Sequence, residues 1–353
     1  MTVGICTRYD RHEAAFAAIN VGNALRGLGH NVSMLSFTPV KQLDHYWDKC
    51  VIPHKRKSFS EFTSDCDCVV WTTLPHIDQL RWVKSQGKKT VLIPMWCELT
   101  HTDGKTLGAF DRIITPTRAC YVVTRQWGLK SSVYVPWAIT GPLFSKPANY
   151  EIKRLKVLMP LWDGNVARTE YTAIHALLRM LTRYTNVEAT VAYTSSTISL
   201  ECKQLLKRAR RRLDGRLHID VGTLPAQRPV LFQRHDVTYC PYHYSNTNLV
   251  ELLSYSAGTP IIGFDDEPMS ELLDPNISVP VKCWNTSYNA ISVPMVQPDY
   301  WEMDDSLMHI GSDFGFIRYL QSNVLDKMQQ RQLLFHNQLA KVFTLCTQTE
   351  YQK

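Results

Sequence analysis

Asp10 and His12 stand just past a short apolar run, Thr2 to Cys6, in the loop Thr7-Arg8-Tyr9-Asp10-Arg11-His12. A carboxylate or an imidazole placed at the end of a strand can take a proton from a hydroxyl. His76, Trp96 and Glu98 occupy comparable places, after the apolar runs Val69 to Thr73 and Thr90 to Met95. Further along, Asn246, Thr247 and Asn248 precede the apolar run Leu249 to Leu253, and their types favour the N-cap of a helix. A helix starting there offers unpaired main-chain N–H groups and a partial positive charge, which suits a diphosphate. Asp265-Asp266-Glu267 could suggest a metal, but such an acidic run is more simply a solvated loop, and no metal site is expected. Cys66 and Cys68 form the only close cysteine pair, and no second Cys or His pair follows at zinc-ligand spacing.

The elements that must hold these residues alternate. Val3 to Cys6 reads as a buried strand, and Glu13 to Gly27 carries Ala14, Ala17, Ala18, Val21, Ala24 and Leu25 at helical spacing. Strand patterns recur at His30–Phe37, Cys68–Thr72, Thr90–Met95, Arg112–Thr115 and Ser132–Val135, with helical segments such as Ile77–Gln86 and Arg118–Trp127 between them. The scheme then repeats. Strands are expected at Lys156–Pro160, Glu188–Tyr193, His218–Val221, Val237–Cys240 and Thr259–Phe264, and helices at Thr169–Tyr184, Leu200–Leu213, Gln227–Arg234 and Asn248–Ala257. Asp313 to Phe343 reads as one long helix that folds back across both halves. Strands separated by helices argue for parallel sheets covered on both faces. The expected class is α/β: two doubly wound Rossmann-like domains facing a cleft, spanning 1–150 and 151–310, with 311–353 as a helical segment packing back toward the first. Ligands of such sheets bind at the carboxyl ends of the strands.

With 353 residues, 44% of them hydrophobic and 20% charged, the chain is long enough for two such domains. No apolar run is long enough to span a bilayer and no leader pattern opens the chain, which predicts a cytoplasmic protein without stable membrane insertion. Ten cysteines in that setting read as reduced thiols. A net charge of +7 suggests an acidic partner, whether nucleotide phosphates, nucleic acid or a membrane surface. The segment Lys203 to Arg216 concentrates seven of the basic residues and reads either as a solvated helix face or as a phosphate-contacting one.

A strand ends in Gly222 and Leu224-Pro225 opens a short helix; His235-Asp236-Val237 leads into a strand ending at Pro241; Ala257-Gly258-Thr259-Pro260 closes the next helix into a strand; and Glu271 lies one loop later. In these features residues 219–274 resemble the donor-binding half of the group-1 glycosyltransferases, a mostly retaining family with the GT-B fold. Arg26-Gly27-Leu28-Gly29-His30-Asn31-Val32 and Phe110 to Ile139 add weaker matches in the first half. The sequence departs from the family where two glutamates are usual: Ser245 and Leu253 stand there, with Glu251 two positions away, on a different side of the helix and read as a rim residue.

The resemblance implies transfer of a sugar from a nucleotide sugar, most simply a UDP-sugar, with no metal or other cofactor. It implies donor contacts from Arg168, Tyr244, Ser245, Asn246, Thr247, Asn248, Leu249, Glu251 and Glu271, the last acting more on its loop than on chemistry, at the start of an apolar helix. It places Asp10 or His12 as the base of an inverting reaction, and His76, Trp96 and Glu98 beside sugar or acceptor. The charge and the aromatic content point to DNA carrying a hydroxylated base as acceptor, with saccharide or lipid as the alternative. A nucleotide-sugar epimerase on the same fold and a non-catalytic binding module are the competing readings.

Overall fold

A computed structural model describes residues 1–8, 12–37, 51–53, 58–95, 99, 103–147, 149–161, 170–193, 198–222, 228–241, 248–288 and 294–347. The chain divides into two compact units. Met1–Thr140 and the end of the last helix from Arg331 make the first, and Gly141–Tyr288 with Pro294–Gln330 the second.

The first unit is a seven-stranded sheet of β1 (Thr2–Thr7), β2 (Asn31–Ser36), β3 (Val51–Pro53), β4 (Cys68–Trp71), β5 (Lys89–Leu92), β6 (Arg112–Thr115) and β7 (Ser132–Tyr134). All neighbours are parallel, in the order β3-β2-β1-β4-β5-β6-β7. Helices α1 (His12–Gly27), α2 (Phe59–Ser64), α3 (Ile77–Ser85), α4 (Gly104–Gly108) and α5 (Arg118–Gln126) make the connections. The predicted stripe of α1 is its buried face, with Ala14, Ala17, Ala18, Val21, Ala24 and Leu25 all out of solvent. Strand order reverses between β1 and β4, so their carboxyl ends form the switch point of this sheet.

The second unit repeats the plan with β8 (Leu155–Leu161), β9 (Val187–Tyr193), β10 (Leu217–Val221), β11 (Val237–Cys240), β12 (Ile261–Phe264) and β13 (Ser278–Val281), in the order β10-β9-β8-β11-β12-β13. Helices α6 (Glu170–Arg183), α7 (Leu200–Arg212), α8 (Arg228–Gln233) and α9 (Leu249–Ser256) connect them. Here the switch point lies between β8 and β11. An antiparallel hairpin, β14 (Cys283–Tyr288) and β15 (Pro294–Pro298), then leads into α10 (Tyr300–Ser312) and α11 (Phe314–Thr347). Residues of α11 up to Gln330 belong to the second unit and those from Arg331 to the first, so this helix is shared by both.

Three aspartates set the start of strands in the same way. Asp67, before β4, accepts from the Thr2 amide at 2.7 Å; Asp111, before β6, accepts from the amide and hydroxyl of Thr90 at 2.8 and 2.7 Å; Asp236, before β11, accepts from the Lys156 amide at 2.9 Å. Each carboxylate satisfies a donor on the neighbouring strand that the ladder does not reach. The cysteines described are free thiols, and all but Cys283 are buried. Among the described residues no helix is long and apolar enough to cross a membrane.

Candidate functional site

In the second unit the switch point is built from the ends of β8 and β11 and the start of α9. The apolar run Leu249 to Leu253 forms the predicted helix because it packs inward: Leu249, Val250, Leu252, Leu253 and Tyr255 are all buried. Ser254 fixes it to the sheet, donating to the Thr259 carbonyl at 2.8 Å, with its Oγ 2.7 Å from the Thr238 hydroxyl.

The helix begins differently from the sequence expectation. Asn248 takes the N-cap position in a left-handed conformation (φ 51°, ψ 42°), and its side chain makes no capping bond. Asparagine tolerates that backbone better than most residues. Its Nδ2 instead donates to the Pro268 carbonyl at 3.1 Å, while its buried Oδ1 has no partner among the described residues. The first turn of a helix carries N–H groups without intrahelical acceptors, and here the side chain that sequence reasoning assigned to them is engaged elsewhere. An anion at the end of β11 can take those donors.

Two further expectations are corrected. Glu251 is 2% exposed, not a rim or solvated residue. It shares a helix face with Ser254, three residues on, which turns it toward the sheet. Its carboxylate lies close enough to Cys240, at the end of β11, to add to the effect of burial in pushing that thiol well above its ordinary range. Glu271 does not open an α-helix. It sits third in a single 3₁₀ turn, Met269–Leu272, that closes at Leu273, and it is half-buried. Leu249, assigned to the donor site, contributes a buried side chain, which leaves only its main chain to meet a ligand.

In the first unit, Thr7 ends β1 and Thr72 follows β4, and Thr72 donates to the Thr7 hydroxyl at 2.8 Å with both side chains fully buried. This pair pins the two strands at their switch point. Sequence reasoning passed over it, although a threonine closing each of two apolar runs was visible. His76 lies at the same edge and caps α3. Its Nδ1 is 3.5 Å from the Asp78 amide and 3.3 Å from the Asp78 carboxylate, and its main-chain N–H meets Gln79 at 3.2 Å. The side chain is 73% exposed. His12 is the first residue of α1. Asp10, Trp96, Glu98, Arg168, Tyr244, Ser245, Asn246 and Thr247 lie outside the described residues. Among the described residues no group of three or more His, Cys, Asp or Glu side chains could hold a metal, and Asp265 is exposed in its loop.

The basic helix α7 buries Cys202 and Leu206 and presents its cations to solvent, with Arg210, Arg211 and Arg212 in the last turn. Since α7 links two parallel strands, that turn lies at the edge where β10 begins, opposite the switch-point crevice. Arg216 is structural: its Nη1 donates to the carbonyls of Leu181 at 2.6 Å and Tyr184 at 2.9 Å.

No protein family model and no curated protein sequence matches this chain. Solved structures do. Anabaena HepE, in complex with UDP and glucose, superimposes with a TM-score of 0.70 at 12% identity, over 98% of this chain and 99% of that one. Sucrose-phosphate synthase from Thermosynechococcus elongatus matches with a TM-score of 0.62 at 14% identity over 99% of both chains. The catalytic domain of starch synthase IV from Arabidopsis thaliana, bound to ADP and acarbose, matches at 0.62 and 10% identity over 96% of this chain and 99% of that one. Two parallel α/β units over nearly the whole of both chains make this the GT-B fold.

Proposed function

We propose that this chain transfers a sugar from a nucleoside-diphosphate sugar, in the first instance a UDP-sugar, to an acceptor hydroxyl. The observation that carries the reading is the start of α9. It lies beside the carboxyl end of β11 at the β8/β11 switch point, and Asn248 leaves it without a side-chain cap. The fold is one in which Anabaena HepE holds UDP-glucose.

In this reading the second unit is the donor half, and Arg168 and the segment Tyr244 to Leu249 surround the diphosphate and sugar, with Glu251 buried behind them against the sheet. The first unit receives the acceptor, and Asp10, His12, His76 and Glu98 are the residues assigned to it. The acceptor oxygen forms a bond to the anomeric carbon as the bond from that carbon to the diphosphate oxygen breaks. The acceptor proton passes to Asp10 or His12 if configuration inverts, or to the leaving phosphate if it is retained. The negative charge that develops on the diphosphate is met by the α9 amides and by Arg168.

Charge alone favours DNA with a hydroxylated base as the acceptor, and the solvated cations of α7 suit phosphate contacts. Their place at the far edge of the sheet separates those contacts from the crevice, so a saccharide or lipid hydroxyl is the reading the second unit supports better.

Mass spectrometry of pooled UDP- and GDP-sugars with oligosaccharide, lipid and hydroxymethylated DNA acceptors is the direct test. Release of nucleoside diphosphate with a matching mass gain on one acceptor is expected. An epimerised nucleotide sugar without acceptor modification would replace transfer by epimerisation, and no turnover of any donor would leave a binding module. Calorimetry adds a residue-level check. A charge-assisted contact to a diphosphate contributes about 1.5–3 kcal/mol, so Arg168→Ala is expected to weaken UDP binding by roughly tenfold or more. Unchanged affinity would remove Arg168 from the site.

A further inference from the structure

A groove of about 460 Å³ on the first unit runs between α3 and α4, lined by Ile77, Leu80, Arg81, Lys84, Lys105, Thr106 and Ala109. Its α3 wall is a single stripe, because positions 77, 80, 81 and 84 fall on one helical face. The floor is apolar: Leu80 is 1% exposed, and Ile77 and Ala109 are half-buried. The rim is cationic, with Arg81 and Lys105 exposed and one hydroxyl, that of Thr106, between them in type. Because Ile77 starts α3 directly after the cap residue His76, one end of the lining stands at the carboxyl edge of the sheet, and Lys84 in the last turn of α3 stands toward the other edge.

The size falls within the range of small-ligand pockets, about 300–1,000 Å³, and the charges decide what fits. Lys84 is already committed, its Nζ donating to the Ala109 carbonyl at 2.7 Å and reaching Asp111 at 3.3 Å. Arg81 meets Asp78 at 3.5 Å on the same helix, both side chains largely in solvent, an arrangement worth little in water. Lys105 has no carboxylate partner among the described residues. Three rim cations against Asp78 and Asp111 leave a net of one positive charge, held at the Arg81 and Lys105 end. A nucleic-acid backbone is held by neutralising several phosphates at once, which one surplus charge does not do. An apolar floor beneath one surplus positive charge suits instead a ring with a C–H face and a single anionic substituent.

We propose that this groove binds an anionic saccharide, a sugar phosphate or a uronate, with its ring over Ile77 and Leu80, its charge between Arg81 and Lys105, and a ring hydroxyl at Thr106. The site stands apart from the donor reading, since binding is measured without nucleotide; its use as an anchor for the acceptor rests on that reading.

Titrating the full chain by calorimetry or ligand-detected NMR with glucose 6-phosphate, glucuronate, glucose and inorganic phosphate tests it. Saturable millimolar or tighter binding is expected for the first two, at least tenfold tighter than for glucose or phosphate. Both Lys105→Gln and Arg81→Gln are expected to weaken it at least fivefold, with an unchanged melting temperature and unchanged UDP affinity. Phosphate binding as tightly as glucose 6-phosphate would reduce the groove to a general anion site and overturn the proposal. So would binding that neither substitution weakens, no saturation by either anionic sugar, or a DNA oligonucleotide that binds through Lys105 and is not displaced by sugar phosphate. Loss of UDP binding in the wild-type chain would strike the donor reading and leave the groove standing.

Discussion

Gly258→Ala is expected to destabilise the second unit by about 4 kcal/mol, while Gly215→Ala costs between about 1 and 2. Both glycines have left-handed backbones, φ +71° and +76°, where a β-carbon is disfavoured by about 1–2 kcal/mol. They differ in what that carbon would meet. At Gly215 there is nothing within 4 Å, whereas at Gly258 it would lie 2.6 Å from the Phe144 carbonyl oxygen and 3.1 Å from the Ser145 Cα. Neither atom is the tip of a flexible side chain, and the Phe144 amide is itself bound to the Ser256 carbonyl at 2.8 Å. The segment after Thr140 therefore cannot move aside without giving up that bond. Urea unfolding of both variants, followed by circular dichroism, checks the difference. Equal losses at the two positions would mean that the close approach at the end of α9 is not present in solution.

Gly258 also shows what kind of information a sequence carries. A glycine between an apolar helix and a Thr-Pro strand start has a local cause, and the turn is where it was read. The same holds for the strands after Asp67, Asp111 and Asp236, whose carboxylates answer the neighbouring strand. Edges were harder. Ser278–Val281 contains Pro280, which argues against a strand in mid-sheet, but β13 is the last strand of its sheet, where the missing N–H costs nothing. The helix α10 was missed although Asp299 caps it, accepting from Trp301 and Glu302, because only Met303, Leu307 and Ile310 mark its buried face. In the candidate site, residue types pointed to a helix N-terminus, but not to the side chain that would cap it. That depended on Pro268, twenty residues downstream, drawing Asn248 away. Glu251 was misjudged for a related reason: helical spacing gives its direction relative to Leu253, and only the position of β11 tells which direction is inward.

The stability of the second unit is expected to fall by about 2 kcal/mol between pH 7 and pH 5 through His235 alone. Its ring is buried between elements, with Nδ1 2.7 Å from the Leu231 carbonyl and Nε2 2.8 Å from the Thr190 hydroxyl. The carbonyl can only accept, so Nδ1 carries the proton and Nε2 takes the threonine hydroxyl in the neutral ring. Burial brings its pKa down from 6.5 to about 4 against the hydrogen bond to the Leu231 carbonyl, with smaller effects of Lys146 and Lys156 lowering it and of Glu188 raising it. The unfolded ring therefore gains its proton first. The stabilisation is fully present above 6.5 and is lost as pH falls from there through 4, reaching about 3 kcal/mol in all. Asp236, next in sequence, has the opposite sign. Burial raises its pKa in spite of the 2.6 Å bond from the Tyr150 hydroxyl and the bond from the Lys156 amide, so its charging removes stability as pH rises. The two effects oppose each other, and comparing the wild type with His235→Gln separates them, because Asp236 remains in both. Glutamine keeps one of the two bonds and lowers stability at pH 7 by about 1–2 kcal/mol, but it does not titrate. Urea midpoints at pH 7, 6 and 5 are expected to converge for the two proteins as the wild type loses the advantage of its neutral ring. Parallel lines across that range would place the His235 pKa in the folded protein near its ordinary value, and the ring in contact with water.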